Sequence, residues 1–186
     1  PTTVQHGVGS HPHRGFETVT IAYQGEVTHK DSSGGGGTIQ AGDVQWMTAG
    51  AGILHQEFHS PEFAEKGGLF EMAQLWVNLP AHAKMTAAGY QAIVSDQIQT
   101  IQLDDAGSQL RVIAGQYQDV DGAATTFSPV NVWDGTVVEG QNHSFYVTEG
   151  HTTLFVLLSG EVILNDSQTI TAPSMVVLSR EGIDFN

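Results

Sequence analysis

Apolar residues recur along the chain in short runs rather than at helical spacing. Residues 17–23 (ETVTIAY), 75–79 (LWVNL), 110–114 (LRVIA) and 154–158 (LFVLL) are rich in β-branched and aromatic side chains and are bounded by Gly, Asp, Asn or Pro. That pattern predicts strands. No segment keeps a 3.6-residue apolar period for three turns, so long helices are not expected, and Pro61–Lys66 is at best a short helical turn. Many short strands with abundant glycine predict an all-β sandwich or barrel. The glycine run 34–37 lies between two strand-like segments, and no Lys-Ser/Thr or helix follows it. It therefore reads as a flexible hairpin loop rather than a phosphate cradle.

An internal repeat organises the chain. Ile21-Ala22-Tyr23-Gln24-Gly25-Glu26-Val27 matches Val156-Leu157-Leu158-Ser159-Gly160-Glu161-Val162, and Thr38-Ile39-Gln40-Ala41 recurs as Thr169-Ile170-Thr171-Ala172, with Thr48 then facing Ser179. The second copy is shorter between its two blocks by the length of the glycine loop. Two related β-modules follow, residues 1–105 and 106–186, joined near the turn-rich stretch 104–108. The second copy reaches Asn186 where the first has His55, and the chain opens on Pro1 rather than Met. Both ends thus read as cut, and the second module is expected to be incomplete.

Composition narrows the chemistry. Of 186 residues, 20 are acidic and 6 basic, for a formal charge of −14, and there is no cysteine. Six cations among that many anions cannot furnish a basic groove, so direct nucleic-acid binding is not expected. The absence of cysteine excludes disulfides, thiolate metal sites and a cysteine nucleophile, and is compatible with a cytoplasmic protein. No stretch has the eighteen or so consecutive apolar residues of a membrane span, and no signal peptide opens the chain.

The chemistry concentrates in two short motifs. Residues i and i+2 of a strand point to one face, so His11 and His13 can converge on one point, and the same holds for His55 and Glu57. Imidazole and carboxylate suit borderline divalent metals such as iron, manganese, nickel, copper or zinc. Three imidazoles and one carboxylate would leave two octahedral positions open. Glu17 shares strand parity with His13, and spacing alone does not exclude it.

These residues sit in longer signatures. His11-Pro12-His13-Arg14-Gly15-Phe16-Glu17-Thr18-Val19-Thr20, the run from Gly42 through Trp46 and Gly50-Ala51-Gly52 to His55-Gln56-Glu57, and Gln74-Leu75-Trp76-Val77-Asn78-Leu79-Pro80 resemble the pirin family of the cupin superfamily. The resemblance is continuous over roughly the first ninety residues and looser beyond. It implies a bicupin of two double-stranded β-helix barrels, the second incomplete here, with one metal, normally Fe(II), held in the first barrel by His11, His13, His55 and Glu57. The general cupin pattern would take its carboxylate from Glu17. The pirin pattern takes Glu57 and leaves Glu17 to orient a histidine or nearby backbone. The resemblance further implies a quercetin 2,3-dioxygenase-like activity on flavonol-like chelating substrates, with Glu57 as general base. An alternative is an iron-dependent regulator that binds a transcription factor or metabolic enzyme.

The second module lacks the ligand set. Aligning Gly160 with Gly25 puts Tyr146, Thr148 and Asn186 where His11, His13 and His55 stand. His143 and His151 fall at other offsets and read as turn or surface residues. Trp46, Met47, Phe16 and Trp76 are expected in the barrel wall, with pocket lining beside the metal as the alternative for some of them, Arg14 in a pair with a buried carboxylate, and His29 at the barrel rim.

Overall fold

A computed structural model describes residues 6–186 of the chain. The chain divides into two compact units. The first takes residues up to Ile101 together with Leu110–Gly135, and the second takes Gln102–Gln109 and Thr136–Asn186. The units are therefore interleaved in sequence rather than divided by a single cut near residue 105.

In the first unit the strands are β1 (Gly7–His13), β2 (Phe16–Gln24), β3 (Glu26–Asp31), β4 (Gly36–Gln40), β5 (Val44–Thr48), β6 (Ile53–His59), β7 (Glu71–Asn78) and β8 (Gly89–Ile93). They form two antiparallel four-stranded sheets, ordered β1-β6-β3-β4 and β7-β2-β5-β8. Side chains from both sheets meet inside: Ala22 of β2 packs with Val27 and Ile39 of β3 and β4, and Met47 of β5 packs with Ile53 of β6. This is the jelly-roll barrel that the short strands predict.

Strand β2 is buried along most of its length. Its Val19 and Ile21 pack with Val44 and Trp46 of β5, on the face away from Thr18 and Thr20. That apolar face is covered by Ile98, Ile113, Ala114 and Ala124. Those residues belong to or adjoin a small sheet ordered β13-β10-β9, built from β9 (Gln99–Gln102), β10 (Gln109–Ala114) and β13 (Val132–Thr136), with a short pair β11 (Gln116–Tyr117) and β12 (Val120–Asp121) beyond β10. Arg111 ties this region down, pairing with Asp134 at 3.0 Å and donating to the Gly42 carbonyl, while the Tyr23 hydroxyl donates to Asp134 at 3.3 Å.

Helix α1 (Pro61–Lys66) is the short helical turn expected from sequence. Ser60 caps it by accepting from the Phe63 N–H at 2.9 Å, Pro61 opens it, and Gly67 ends it at φ 69°. The same Ser60 hydroxyl donates to Glu26 at 2.7 Å, fixing the helix to the start of β3.

In the second unit the strands are β14 (Phe145–Tyr146), β15 (Leu154–Leu157), β16 (Glu161–Leu164), β17 (Gln168–Thr171), β18 (Ser174–Val177) and β19 (Asp184–Phe185), paired as β14-β19, β15-β18 and β16-β17. Leu164, Ile170 and Phe185 form its buried centre. The repeat read from sequence holds at the level of register. Gly25 and Gly160 turn at φ 83° and 82°. Glu26 pairs with Gln40 as Glu161 pairs with Thr171, and Ile21 pairs with Val44 as Val156 pairs with Met175. The copies differ in cover. Val44 is fully buried, whereas Met175 is 64% exposed, because among the described residues β15 and β18 form a two-stranded sheet with one open face.

Candidate metal centre

The convergence of His11, His13 and His55 follows from the β1–β6 ladder. His11 and His55 are direct partners in that ladder, and His13 stands two residues along β1 on the same face. Between Val8 and His11 the register shifts by one residue, a bulge of the kind that re-aims side chains beside sites. Within the bulge His11 Nδ1 lies 2.7 Å from the Gly9 carbonyl. A proton on Nδ1 shared with that carbonyl leaves Nε2 with a free lone pair. The three rings are 4.6, 5.0 and 5.4 Å apart between centroids, and one nitrogen from each lies within 4.8 Å of the others.

His55 is 1% exposed, and neither ring nitrogen meets hydrogen-bond geometry with a partner among the described residues; Nε2 has the Glu57 carboxylate at 3.4 Å. A buried, unpaired imidazole costs free energy in the bare protein, and a cation at the centre of the three rings would supply its missing partner. Burial, and then the neighbouring His11 and His55, lower the His13 imidazole below its ordinary value against the opposing pull of Glu57. A neutral imidazole is the form that ligates a metal.

Glu57 lies beside this cluster, next to His55 on β6. Its Oε2 lies 3.4 Å from His55 Nε2, and both of its oxygens accept from Gln74 Nε2 of β7, at 3.2 and 3.1 Å. Burial raises the Glu57 carboxyl, but the close His55 imidazole, hydrogen bonding from Gln74 and attraction to His11 outweigh this and hold it below its ordinary value. The group is thus a carboxylate at neutral pH. Three imidazoles and one carboxylate form a donor set that fits a borderline divalent cation.

Glu17 is directed elsewhere. It is 1% exposed, pairs across β2–β5 with Thr48, and accepts from the Thr48 hydroxyl at 2.7 Å. The pleat puts it on the Val19 and Ile21 face of β2, opposite the face of Thr20, whose hydroxyl accepts from Gln74 beside Glu57. The parity expected between His13 and Glu17 does not carry through, because Gly15 at φ 75° breaks the strand between them.

His29 also departs from expectation. It lies 4% exposed in the interior, directly opposite Glu57 across β3–β6, rather than at a rim. Burial, with a smaller push from His55, lowers its imidazole to about 4 against the attraction of Glu57 and Asp31. Its ring packs on Tyr90 at 5.0 Å, and His29 Nδ1, Asp31 Oδ2 and the Tyr90 hydroxyl are buried together without partners that meet hydrogen-bond geometry. The glycine run explains itself here. A side chain at Gly35 would meet Asp31 Oδ2, with Tyr90 Cε2 at 3.0 Å, and one at Gly37 would lie 3.3 Å from His29 Nε2. The hairpin needs glycine to approach these rings.

Other expectations divide. Trp46 and Met47 are fully buried and Phe16 is half-buried against Trp76, as wall residues should be. Trp76 itself is 67% exposed, on the β7 face shared with Gln74 and Met72, with its ring centroid 5.7 Å from that of His13. Arg14 pairs with no carboxylate among the described residues; it is exposed, with Nη2 3.4 Å from Met85 Sδ. The tight loop at residues 50–52 is anchored by Ala51 N–H to the Thr86 carbonyl at 2.8 Å, and a side chain at Gly50 would strike that oxygen. In the second unit Tyr146 is 60% exposed, and His143 pairs with Asp104 at 2.9 Å. Gln74 is the residue that motif reading missed. Its signal is a lone amide alternating with Met72 and Trp76 on one face of β7.

Known proteins match this chain. The Pirin family profile matches residues 2–77. The chain is 48% identical over 181 residues to a Pseudomonas aeruginosa protein named "Putative quercetin 2,3-dioxygenase", spanning 97% of this chain and 63% of that protein's length. It is 37% identical to a Thermoplasma acidophilum protein of the same name, covering 94% of this chain and 72% of that one. The crystal structure of quercetin 2,3-dioxygenase from Acinetobacter baumannii superposes with a TM-score of 0.96 at 71% identity, covering all of this chain and 64% of that one. No helix among the described residues is long and apolar enough to cross a membrane. A bicupin repeat, a three-histidine cluster with its carboxylate, and relatives matched over nearly the whole chain together place this protein in the pirin family.

Proposed function

We propose that the chain is the metal-holding portion of a quercetin 2,3-dioxygenase-type enzyme, in which His11, His13, His55 and Glu57 hold one divalent cation, Fe(II) in preference to other transition metals. The observation that carries this reading is the cluster of three imidazole nitrogens within 4.8 Å of one another, with a charged carboxylate beside them. The activity for which these relatives are named supports the same reaction class. A cation there would supply Lewis-acid binding of a flavonol's adjacent hydroxyl and carbonyl oxygens and bring O₂ to the activated ring.

The chain's own residues do the rest. Glu57, held in the carboxylate form, accepts the proton of the flavonol hydroxyl. Trp76, exposed beside His13 and Phe16, offers an aromatic edge to a flat substrate. The expected outcome of the reaction is ring opening with release of carbon monoxide.

The test is O₂ uptake by full-length, iron-loaded protein with quercetin. Turnover that disappears in His11→Ala and Glu57→Ala supports the reading. Metal-loaded protein that consumes no O₂ with any flavonol contradicts it.

A further inference from the structure

Gln74 stands opposite Thr20 across the β2–β7 ladder, and its side-chain nitrogen touches three oxygens at once. Nε2 lies 3.2 and 3.1 Å from the two Glu57 oxygens and 3.1 Å from Thr20 Oγ1. A primary amide nitrogen carries two hydrogens. One is shared by the carboxylate, and the other goes to Thr20. The reversed amide would set its own oxygen against two carboxylate oxygens, so the hydrogen bonds allow only one orientation. Thr20 is 1% exposed on the buried middle of β2 and gives the amide a fixed anchor. Glu57 is thereby gripped from β7 while its Oε2 stays 3.4 Å from His55 Nε2.

We propose that Gln74 is a positioning residue: anchored by Thr20, it holds the Glu57 carboxylate beside the imidazoles and so sets how tightly the site binds a divalent cation. This rests on the reading of His11, His13, His55 and Glu57 as the metal ligands. Groups that hydrogen-bond a metal ligand orient it and tune its basicity, and losing one weakens metal binding substantially. A Gln74 that merely satisfied a buried carboxylate would change stability and leave cation affinity alone.

Cobalt(II) titration of the full-length, metal-free protein, followed by visible absorption against a competing chelator, separates the two roles. Gln74→Leu is expected to bind cobalt about 10- to 100-fold more weakly than wild type and to shift its ligand-field bands. Thr20→Val should weaken binding less, and should add nothing in a Gln74→Leu background, because Thr20 acts through Gln74. If Gln74→Leu does not fold, Thr20→Val decides, and an unchanged affinity there overturns the role. Cobalt affinity for Gln74→Leu within about twofold of wild type, with the wild-type spectrum, also overturns it. Wild type that takes up no cobalt, or Glu57→Gln that binds as tightly as wild type, would instead overturn the ligand assignment beneath it.

Discussion

His11 and His55 are direct partners across the β1–β6 ladder, with ring centroids 5.0 Å apart, so two proposed ligands from distant parts of the chain are set by one register. His55 bears the cost of that placement, buried with neither ring nitrogen in a formed hydrogen bond among the described residues and Nε2 3.4 Å from Glu57. Replacing it with an apolar side chain of similar size removes the unbonded nitrogens but also takes Nε2 away from Glu57. His55→Leu is expected to abolish metal binding while leaving the metal-free protein within about 1 kcal/mol of wild-type stability, the two effects offsetting each other. Urea denaturation above the imidazole titration range measures this; a metal-free variant destabilised by more than about 3 kcal/mol would contradict it.

The two buried carboxylates should separate cleanly by mutation. Thr48→Val removes the hydroxyl that donates to Glu17 and strands a buried carboxylate, at a cost of about 2 kcal/mol. It should leave metal content unchanged. Glu57→Gln should do the reverse, lowering metal content with a smaller effect on unfolding. Elemental analysis beside chemical denaturation of each variant reads both quantities.

His29 gives the metal-free protein a pH dependence of known sign. Its imidazole is lowered from 6.5 to about 4 in the folded state. Between those values the unfolded chain binds the proton and the folded chain does not, so stability rises with pH through this window. The contribution is fully present above 6.5 and is lost as pH falls toward 4, amounting to roughly 3 kcal/mol. His29→Gln should remove that part of the slope in denaturation midpoints followed across the window. An unchanged slope would show that His29 is not buried neutral.

The glycine hairpin tests packing against flexibility. If residues 34–37 were only a loose loop, Gly35→Ala would be neutral or slightly stabilising through the unfolded chain. Contact with Asp31 and Tyr90 predicts a loss of about 1–3 kcal/mol instead. Thermal denaturation of the single variant decides.

Much of this molecule was legible in its sequence. The repeat predicted pairings that recur residue for residue, down to Gly25 and Gly160. The His-x-His and His-x-Glu spacings brought their side chains together because each pair lies within one strand. Errors arose where parity was carried across a glycine with positive φ. Gly15 resets the face between His13 and Glu17. Alternation is a property of one continuous strand, and a left-handed residue ends it. The placing of Trp76 and Gln74 is not legible in sequence for another reason. Aromatic and amide side chains in a strand run read as wall, and only the β2–β7 register reveals that their face turns to the site.

Metal content in the full-length protein tests the central claim most directly. Elemental analysis after purification without added metal, followed by loading with Fe(II), should find about one ion per chain. A second ion is not expected, since the second unit carries Tyr146, Thr148 and Asn186 at the corresponding positions. His11→Ala and His55→Leu should each reduce the content to near zero. Wild type holding less than about 0.1 ion per chain, or variants that keep the full complement, would contradict the assignment of His11, His13, His55 and Glu57 as one metal site.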